Sequence, residues 1–449
     1  MSGLIIQNGR VICPATHRDE FAEVWIEGGI ISRVVSGGER DTREAGSPPA
    51  LGGSVGYEMV DASGLIVAPG FIDLHVHLRE PGREDCETIE SGGAAAAAGG
   101  FTSVCAMPNT HPVNDGASIT QFILQRARSY SQVRVFPIAA VSLSSAGEVL
   151  TNFEDLMAAG AVGFSDDGKA VKTSSLMRDA LQAAKRLGTF VSDHCEDSTL
   201  TRAGVINEGE ISRALGIQGM PPVAEDSIVE RDIRMGEETA GHAHIAHLST
   251  AGALDSVRWA KQRGMNITCE VAPHHFTLTD RDVERYGANA KMKPPLRTPR
   301  DVEALVEGLA DGTVDAIATD HAPHSAVEKG RGLAAAPFGI TGLETAVSLG
   351  IQRLVQPGKL DWSRLVGLFS ANPARILRRH DLGRIEQGAL ADLTIIDPGR
   401  EWTFYRAESR SKSQNTPFDS WKFRGKVVMT VVDGKVVFDA RACLHSGPK

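Results

Sequence analysis

The sequence places histidine and aspartate residues at the ends of short apolar runs. His75 and His77 stand two residues apart at the end of FIDLHVH. Residues i and i+2 of a β-strand face the same side, so both imidazoles could reach one metal ion while Val76 packs outward. A His-x-His pair alone is as compatible with a structural coincidence as with a metal site. The residues that end the other apolar runs favour one of these interpretations.

The same residue types end four further apolar runs. These residues are Asp166 and Asp167 in FSDDG, His194 in SDHC, His247 in HAHIAHLS, and Asp320 and His321 in IATDH. Buried imidazoles and carboxylates are costly unless they are paired or bind a metal, and a set of this size is hard to explain as packing. We therefore predict a metal centre where the ends of these runs meet.

Four other histidines and one aspartate are not assigned to a metal. His242 and His244 are interpreted as ordinary polar positions. His274 and His275 are adjacent, so at most one of them can point into a site, and both are interpreted as structural. Asp73 shares the predicted inward face of the His-x-His pair, where it could brace a ligand or be a buried structural carboxylate.

Strands and helices alternate along the segment that must position these residues. The eight strand-like runs are FIDLHVH, FTSVCAMP, VRVFPIAAVS, AVGFSD, TFVSDHC, HAHIAHLS, NITCEVAPHH and VDAIATDH, and helical stretches follow most of them. Repeated β-then-α units of this number predict an α/β fold with a (β/α)8 TIM-like barrel, whose active site lies at the carboxyl ends of the strands. The alternative is an open doubly wound sheet.

Both ends of the chain are typical of short antiparallel β structure. Three dipeptides suited to two-residue hairpin turns stand between β-rich runs: Asn8-Gly9, Gly28-Gly29 and Asp433-Gly434. A lone hairpin buries too little surface to be stable, so we predict one small β-sandwich domain from residues 1–62 and 385–449, beside a barrel of residues 63–384. Residues 36–56, rich in Gly, Pro and charge, are predicted to be a mobile surface loop.

Composition restricts the class of protein. The 449 residues are 42% hydrophobic and 23% charged, which is typical of a globular protein, and the net charge of −9 argues against nucleic-acid binding. The six cysteines show no CxxC pairing, which favours a reducing compartment. No signal-peptide pattern and no run of about 18 apolar residues occurs, so we expect a soluble, cytoplasmic protein without membrane contact.

Several motifs resemble those of the dihydroorotase family of the amidohydrolase superfamily. In chain order they are GFIDLHVHLREPG, AMPNTHPVND, FSDDG, HCED, AHLST, ATDHAPH and APFGITGLET, followed by LGRIEQGALADLTIID and SQNTPF…GKVVMTVVDGKVV in the sandwich half. The resemblance covers residues from about 4 to about 440. It implies a cyclic amidohydrolase that interconverts N-carbamoyl-L-aspartate and L-dihydroorotate in de novo pyrimidine biosynthesis.

The resemblance implies two Zn²⁺ per subunit. His75, His77 and Asp320 would bind the first ion, His194 and His247 would bind the second, and Asp167 would bridge the two. Asp320 would also be the general acid/base for a zinc-activated hydroxide that attacks the ring amide. Many relatives bridge the ions with a carboxylated lysine. Here the matching position is an aspartate, although Lys169 and Lys172 are close enough along the chain to leave a carbamate bridge open.

The resemblance also implies a pocket for a small anionic substrate. Its residues would be Arg79, Asn109, Lys293, His324, Phe338 and Gly339. Arg79 would bind the exocyclic carboxylate in a bidentate fork, and the backbone of Phe338 and Gly339 would meet the pyrimidine edge. The sequence departs from the family at Lys293 in KMKPPLR, where relatives commonly have asparagine. Residues 325–336 could close over the substrate or form a passive connection.

Two alternatives stay open from the sequence. The chain could be another cyclic amidase, an allantoinase or hydantoinase, because Lys293 changes the predicted pocket. It could instead be a non-catalytic dihydroorotase-like scaffold of aspartate transcarbamoylase, although every metal-ligand position is filled here. We expect a homo-oligomer, and association with aspartate transcarbamoylase is compatible even with an active enzyme.

Overall fold

The computed structural model describes residues 3–37 and 56–441. Most of the predicted loop 36–56 and Cys443 lie outside the described residues. The other five cysteines are buried and unpaired, as the absence of CxxC pairs predicts. Among the described residues, no helix combines the length and the apolar character that crossing a bilayer requires.

The described strands form two large sheets and one two-stranded sheet. In chain order they are Gly3–Cys13 (β1), Arg18–Glu27 (β2), Ile30–Ser36 (β3), Tyr57–Asp61 (β4), Ile66–Pro69 (β5), Phe71–Val76 (β6), Phe101–Ala106 (β7), Arg134–Ala139 (β8), Gly163–Phe164 (β9), Phe190–Asp193 (β10), Ile206–Asn207 (β11), Gly219–Met220 (β12), His242–Ile245 (β13), Ile267–Val271 (β14), Ala316–Ile317 (β15), Leu393–Thr403 (β16), Lys422–Val432 (β17) and Lys435–Asp439 (β18).

The helices lie mainly between the strands β6 and β16. They are Ile89–Gly99 (α1), Ala117–Tyr130 (α2), Phe153–Ala159 (α3), Ser174–Leu187 (α4), Ser198–Thr201 (α5), Glu210–Leu215 (α6), Val223–Thr239 (α7), Ala251–Gln262 (α8), Asp282–Tyr286 (α9), Pro299–Asp311 (α10), Ala326–Lys329 (α11), Gly332–Ala335 (α12), Ala346–Gly350 (α13), Trp362–Phe369 (α14) and Ala371–Ile376 (α15). Short 3-10 turns lie at Pro14–Thr16, Leu143–Ser145, Gly287–Ala290 and Arg406–Glu408, and a π-helix at Ile351–Val355.

Eight parallel strands form the barrel in the order β6-β7-β8-β9-β10-β13-β14-β15. Val76 pairs with His321 just beyond β15, and the His77 N–H donates to His321 O over 2.9 Å, so the first strand meets the last. All eight strand-like runs correspond to these strands. The predicted (β/α)8 TIM-like barrel is therefore confirmed, and the open doubly wound sheet is wrong because the two edges join.

Local sequence explains why the barrel units form. Strands such as β6 and β7 are buried along their whole length, as expected for parallel strands covered on both faces. Helix α4 begins where the Thr173 side chain accepts a hydrogen bond from Leu176 N, and it ends at Gly188, whose φ of 71° suits glycine. Capping residues thus fix both ends of α4, the helix that connects β9 to β10.

A second sheet joins the two ends of the chain. Its order is β18-β17-β16-β5-β1-β2-β3, with β4 paired to β1, so early and late strands share one small β-sandwich domain. Gly28-Gly29 and Asp433-Gly434 form the predicted turns before β3 and β18. The exact boundaries, 1–62 with 385–449 against 63–384, stay a prediction.

The hairpin predicted at Asn8-Gly9 is wrong. Strand β1 continues through both residues, and its pairing with β2 shifts register between Ile6 and Gly9. Asn8 has a φ of 62°, the conformation that Asn-Gly also adopts in turns. The dipeptide therefore makes a β-bulge, and the same backbone preference serves a different structure.

An ion-pair cluster connects the barrel to the sandwich sheet. Arg134 at the start of β8 pairs with Asp392 and Asp433, which flank the sandwich strands. The Asp392 side chain is only 4% exposed. Burial raises the pKa of Asp392 to about 6, and the charge of Arg134 opposes that rise.

We expect Arg134→Met to lower the free energy of unfolding at pH 7 by about 3 kcal/mol, since it leaves a buried carboxylate without its partner. The carboxyl pKa then rises further above the value of about 3.9 for an unfolded aspartate, so the loss should shrink at pH 5, where protonation relieves the charge. Urea unfolding at both pH values measures this. The matched control is Arg10→Met, which breaks an ion pair with Asp19 at 41% and 44% exposure and should cost under about 1 kcal/mol. Equal losses for both variants would contradict the prediction.

Candidate metal centre

The carboxyl ends of five barrel strands bring the predicted ligands together. His75 lies in β6 and the other five lie just beyond strand ends: His77 after β6, Asp167 after β9, His194 after β10, His247 after β13 and Asp320 after β15. All six side chains are buried. This is the rim at which barrel enzymes carry their active sites.

Three of these side chains form one group. His77 Nε2 lies 3.1 Å from Asp320 Oδ1, and His75 Nε2 lies 3.6 Å from the same oxygen. The pKa of Asp320 is below its usual range, because hydrogen bonding from His77 and the charges of nearby histidines outweigh burial. The carboxylate is therefore ionised, as a cation ligand must be.

Asp167 separates this group from a second one. Its Oδ1 lies 3.2 Å from His75 Nε2, and its Oδ2 lies 3.5 Å from His77 Nε2. On the other side, His194 Nδ1 and His247 Nε2 lie 3.6 and 3.7 Å from Asp167 Oδ1, and 2.9 Å from each other. One carboxylate thus contacts all four imidazoles.

These separations fit divalent cations on both sides of Asp167. Ligand atoms about 2.0–2.1 Å from a tetrahedral ion lie about 3.3 Å apart, and the separations above run from 2.9 to 3.7 Å. His75 Nε2 and Asp167 Oδ1 are buried without a hydrogen-bond partner among the described residues, which a bound cation would supply. The donor set of imidazoles and carboxylates is also one that such ions accept.

The lysine alternative for the bridge finds no geometric support. Lys169 Nζ donates to Ser145 O over 3.2 Å, and the exposed Lys172 side chain lies 3.6 Å from Glu148. Asp166, the other aspartate of FSDDG, accepts hydrogen bonds from Ser142 instead of facing the cluster.

Two of the predicted ligand histidines have buried or half-buried glutamates on the ring nitrogens that face away from Asp167. His75 Nδ1 lies 2.9 Å from Glu270 Oε1, and His194 Nε2 lies 3.4 Å from Glu196 Oε2. Burial would raise the pKa of Glu270, but hydrogen bonds from His244 and His75 lower it to about 2. Sequence reasoning missed both glutamates, although Glu196 stands in HCED and Glu270 is a carboxylate within an apolar strand.

The histidines interpreted as ordinary or structural are all buried. His244 bridges Glu270 Oε2, at 3.2 Å, and Thr268 Oγ1, at 2.8 Å, and His242 also reaches Thr268 at 2.8 Å. His274 and His275 are both buried as well, and His275 Nε2 donates to Pro294 O over 3.0 Å. His242 and His244 are therefore part of a buried polar network and not simple polar positions.

Asp73 braces the cluster through the backbone. Its Oδ1 accepts hydrogen bonds from His75 N and Thr319 N, each 3.0 Å long. Burial is the main cause that raises the pKa of Asp73 to about 7. The contacts join the first and last barrel strands one layer below the rim.

The residues predicted for substrate binding surround the cluster. Asn109 Oδ1 lies 2.8 Å from His77 Nδ1, and its Nδ2 donates to Asp167 Oδ2 over 3.2 Å, so this amide also holds two of the ligands. Arg79 Nε donates to Pro323 O over 3.2 Å, and Nη2 lies 3.3 Å from His324 Nε2.

Phe338 and Gly339 are already engaged within the protein. Phe338 O accepts a hydrogen bond from His324 Nε2 at 2.7 Å, and Gly339 N donates to Lys291 O at 2.9 Å. The Phe338 N–H has no hydrogen-bond partner among the described residues. Gly339 has a φ of +123°, and an added Cβ would lie 2.5 Å from Ala322 Cβ, so only glycine fits there.

Lys293 lies between the second ligand group and Phe338. Its Nζ is 2.9 Å from Glu196 Oε2 and 5.5 Å from the centre of the Phe338 ring. The lysine side chain is 26% exposed. Lys293 therefore contacts a glutamate that faces the predicted ligand His194.

Three site residues have positive φ angles without being glycine. These are Arg79 at 59°, His247 at 33° and Asp320 at 46°. Such conformations cost roughly 1–3 kcal/mol each and persist at sites where surrounding structure enforces them. His247 and Asp320 are two of the predicted ligands, and Arg79 is predicted to bind the substrate.

Comparison with known proteins identifies the family. The dihydro-orotase-like family model matches residues 64–253, and the amidohydrolase family model matches residues 226–438. A dihydroorotase of Geobacter sp. (strain M21) is 48% identical over 437 residues, which cover 97% of this chain and 99% of that protein. A dihydroorotase of Syntrophus aciditrophicus (strain SB) is 46% identical over 435 residues, with 97% and 99% covered. The chain belongs to the dihydroorotase family.

Solved structures support the architecture of this family member. An L-hydantoinase (dihydropyrimidinase) from Arthrobacter aurescens matches with a TM-score of 0.86 at 23% identity, covering 98% of this chain and 97% of that one. A D-hydantoinase (dihydropyrimidinase) from Thermus sp. matches with a TM-score of 0.81 at 28% identity, covering 97% and 95%. The likeness supports the barrel and its sandwich domain, and it does not decide the substrate. The family is generally metal-dependent, and the described residues contain candidate metal-binding groups.

We expect added Zn²⁺ to raise the thermal unfolding temperature of the metal-free chain, because an ion that binds only the folded state stabilises it by about 2.7 kcal/mol at 100 times its Kd. Asp167→Ala should remove most of this shift, since the carboxylate contacts both ligand groups. The matched control is Lys169→Ala, two residues away and outside the cluster, which should keep the shift. An undiminished shift in Asp167→Ala would place the ions elsewhere.

Proposed function

We propose that this chain is a catalytic dihydroorotase that interconverts L-dihydroorotate and N-carbamoyl-L-aspartate at a site with two Zn²⁺ ions. Membership of the dihydroorotase family supports this, as do the contacts that Asp167 makes with four histidines and Asp320 makes with His77. The observation that carries the substrate assignment is Arg79. Among the described residues no carboxylate forms an ion pair with this half-buried guanidinium, although it lies beside the cluster.

Arg79 is suited to the carboxylate of the substrate. Burial lowers the pKa of Arg79, a sign that its charge lacks full compensation within the protein. A ring carboxylate would supply that compensation through charge-assisted hydrogen bonds. Both proposed substrates have such a group, whereas the ring of a simple hydantoin does not.

The proposed ions occupy the two sides of Asp167. His75, His77 and Asp320 would hold the first ion, His194 and His247 would hold the second, and Asp167 would contribute to both. When bound, such ions polarise the scissile carbonyl and lower the pKa of a water molecule to near neutrality.

Asp320 is the proposed proton carrier. Its Oδ1 faces His77, whereas its Oδ2 has no hydrogen bond from the residues that the structure describes. Hydrolysis adds a hydroxyl group to the ring carbonyl carbon and a proton to the ring nitrogen that leaves. The ionised Oδ2 can take the proton from the attacking water and deliver it to that nitrogen, which is general acid–base catalysis by one group.

The remaining pocket residues orient the ring. The Phe338 N–H is available to a substrate oxygen, and Gly339 allows the close backbone approach. His324 is neutral, since burial and the neighbouring Arg79 lower its pKa to about 3, so it adds a hydrogen bond without charge. Asn109 and Lys293 are the other polar residues proposed to line the substrate pocket. Self-association and a complex with aspartate transcarbamoylase stay predictions.

The proposal predicts that turnover of dihydroorotate depends on Arg79. Arg79→Ala should lower kcat/KM by about 10- to 100-fold, because charge-assisted hydrogen bonds contribute about 1.5–3 kcal/mol each. Arg79→Lys keeps the charge but not the planar fork, and it should fall between wild type and alanine. The measurement is the absorbance change on ring opening by zinc-reloaded protein.

The matched control is Arg258→Ala, on an exposed face of α8, which should leave turnover unchanged. Reloaded wild type that opens hydantoin or allantoin but not dihydroorotate would identify another cyclic amidase. Wild type that retains no metal and opens none of these rings would identify a non-catalytic scaffold.

The variant Lys293→Asn restores the asparagine expected in the family. It should weaken the binding of carbamoyl-aspartate more than the binding of dihydroorotate. Carbamoyl-aspartate has two carboxylates, whereas dihydroorotate has one. Because the lost ammonium group is partly exposed, we expect the KM of carbamoyl-aspartate to rise about fivefold more than that of dihydroorotate, which corresponds to about 1 kcal/mol. Steady-state kinetics in both directions measure the ratio, with exposed Lys359→Asn as control. An equal change in both KM values would show that the charge of Lys293 does not distinguish the two compounds.

A further inference from the structure

We propose that Glu270 and Glu196 are positioning residues that each serve one cation site, Glu270 through His75 and Glu196 through His194. The inference rests on the proposed function only in requiring a pair of cations. It assigns roles to two glutamates outside the ligand set and predicts that the two sites can be weakened separately.

His75 is oriented by the buried carboxylate of Glu270. Its Nε2 faces Asp167 at 3.2 Å, while its Nδ1 faces Glu270 Oε1 at 2.9 Å. The side chains of His75 and Glu270 are 0% and 1% exposed, and the second carboxylate oxygen is occupied by His244 at 3.2 Å. The ionised glutamate accepts the proton of Nδ1, which leaves the lone pair of Nε2 for a cation.

In His194 the two ring nitrogens have the reverse roles. Its Nδ1 lies 3.6 Å from Asp167 Oδ1, and its Nε2 lies 3.4 Å from Glu196 Oε2. Glu196 is fixed in turn, because Thr201 Oγ1 donates to Oε1 over 2.5 Å and Lys293 Nζ lies 2.9 Å from Oε2. This chain of contacts directs the Nδ1 lone pair, instead of that of Nε2, toward the second site.

The other two ligand histidines lack such a partner. His77 Nδ1 faces the neutral amide of Asn109, and His247 Nδ1 has no hydrogen-bond partner among the described residues. Each proposed site therefore contains one histidine oriented by a carboxylate and one that is not. The two carboxylates differ in setting, since Glu270 is sealed in the barrel while Glu196 is 10% exposed and paired with Lys293 at the chamber wall.

Metal titration of the full chain tests these roles. Metal-free protein is titrated with Zn²⁺ against a chromophoric chelator, in one background that keeps only the first site (His194→Ala with His247→Ala) and one that keeps only the second (His77→Ala with Asp320→Ala). We expect Glu270→Gln to weaken Zn²⁺ binding about 10- to 100-fold in the first background and not in the second. Glu196→Gln should show the reverse pattern.

The control separates positioning from general damage to the fold. Glu225→Gln removes another buried carboxylate, which pairs with Arg297 and contacts no proposed ligand, so it should lower the unfolding temperature without site preference. Co²⁺ absorption of each single-site protein gives a second readout, which should change only with the matching glutamate. If wild type binds two ions but each glutamate variant weakens Zn²⁺ binding at both sites equally, or at neither, the positioning roles alone are overturned. Wild type that binds no ions overturns the proposed metal centre together with this inference.

Discussion

The position of one carboxylate, Asp167, is the constraint on which the site depends. Its two oxygens lie within 3.7 Å of nitrogen atoms from four imidazoles that come from the ends of three different strands. Burying so many polar atoms together is costly unless the charges compensate one another or meet a cation. The separations of 3.2 to 3.7 Å are near those between ligands of a shared ion, so a bound cation would offset this cost. A shift of any one strand would break several of these contacts at once.

The fold supplies the rigidity that this arrangement needs. The barrel closes between β6 and the segment after β15, and Asp73 ties the backbones of His75 and Thr319 together beneath the rim. The sandwich sheet also contacts the barrel, since Thr394 Oγ1 donates to Gly100 O over 2.6 Å just before β7. Because a packed core resists deformation, the strand ends fix where the segments that carry the six predicted ligands begin.

The residues proposed for chemistry and those proposed for substrate recognition form neighbouring groups. The cluster provides ionised carboxylates and oriented imidazoles, while Arg79 provides a positive charge that has no carboxylate partner in the described protein. A neutral His324 and the Phe338 backbone add directional hydrogen bonds without further charge. Lys293 lies between the two parts, because it contacts Glu196 behind the predicted ligand His194 and faces the Phe338 ring.

The sequence by itself determined the type and order of the elements and the residue types at their ends. Eight apolar runs separated by helical stretches predicted the barrel, and the period of two along a strand predicted that His75 and His77 share a face. Contacts across the barrel were decided only by tertiary structure. Glu270 reaches His75 from a strand some 195 residues away, and Asn8-Gly9 became a bulge and not a turn because its partner strand continues alongside. Local patterns fix which way a side chain points, whereas the stagger of distant strands fixes what it meets.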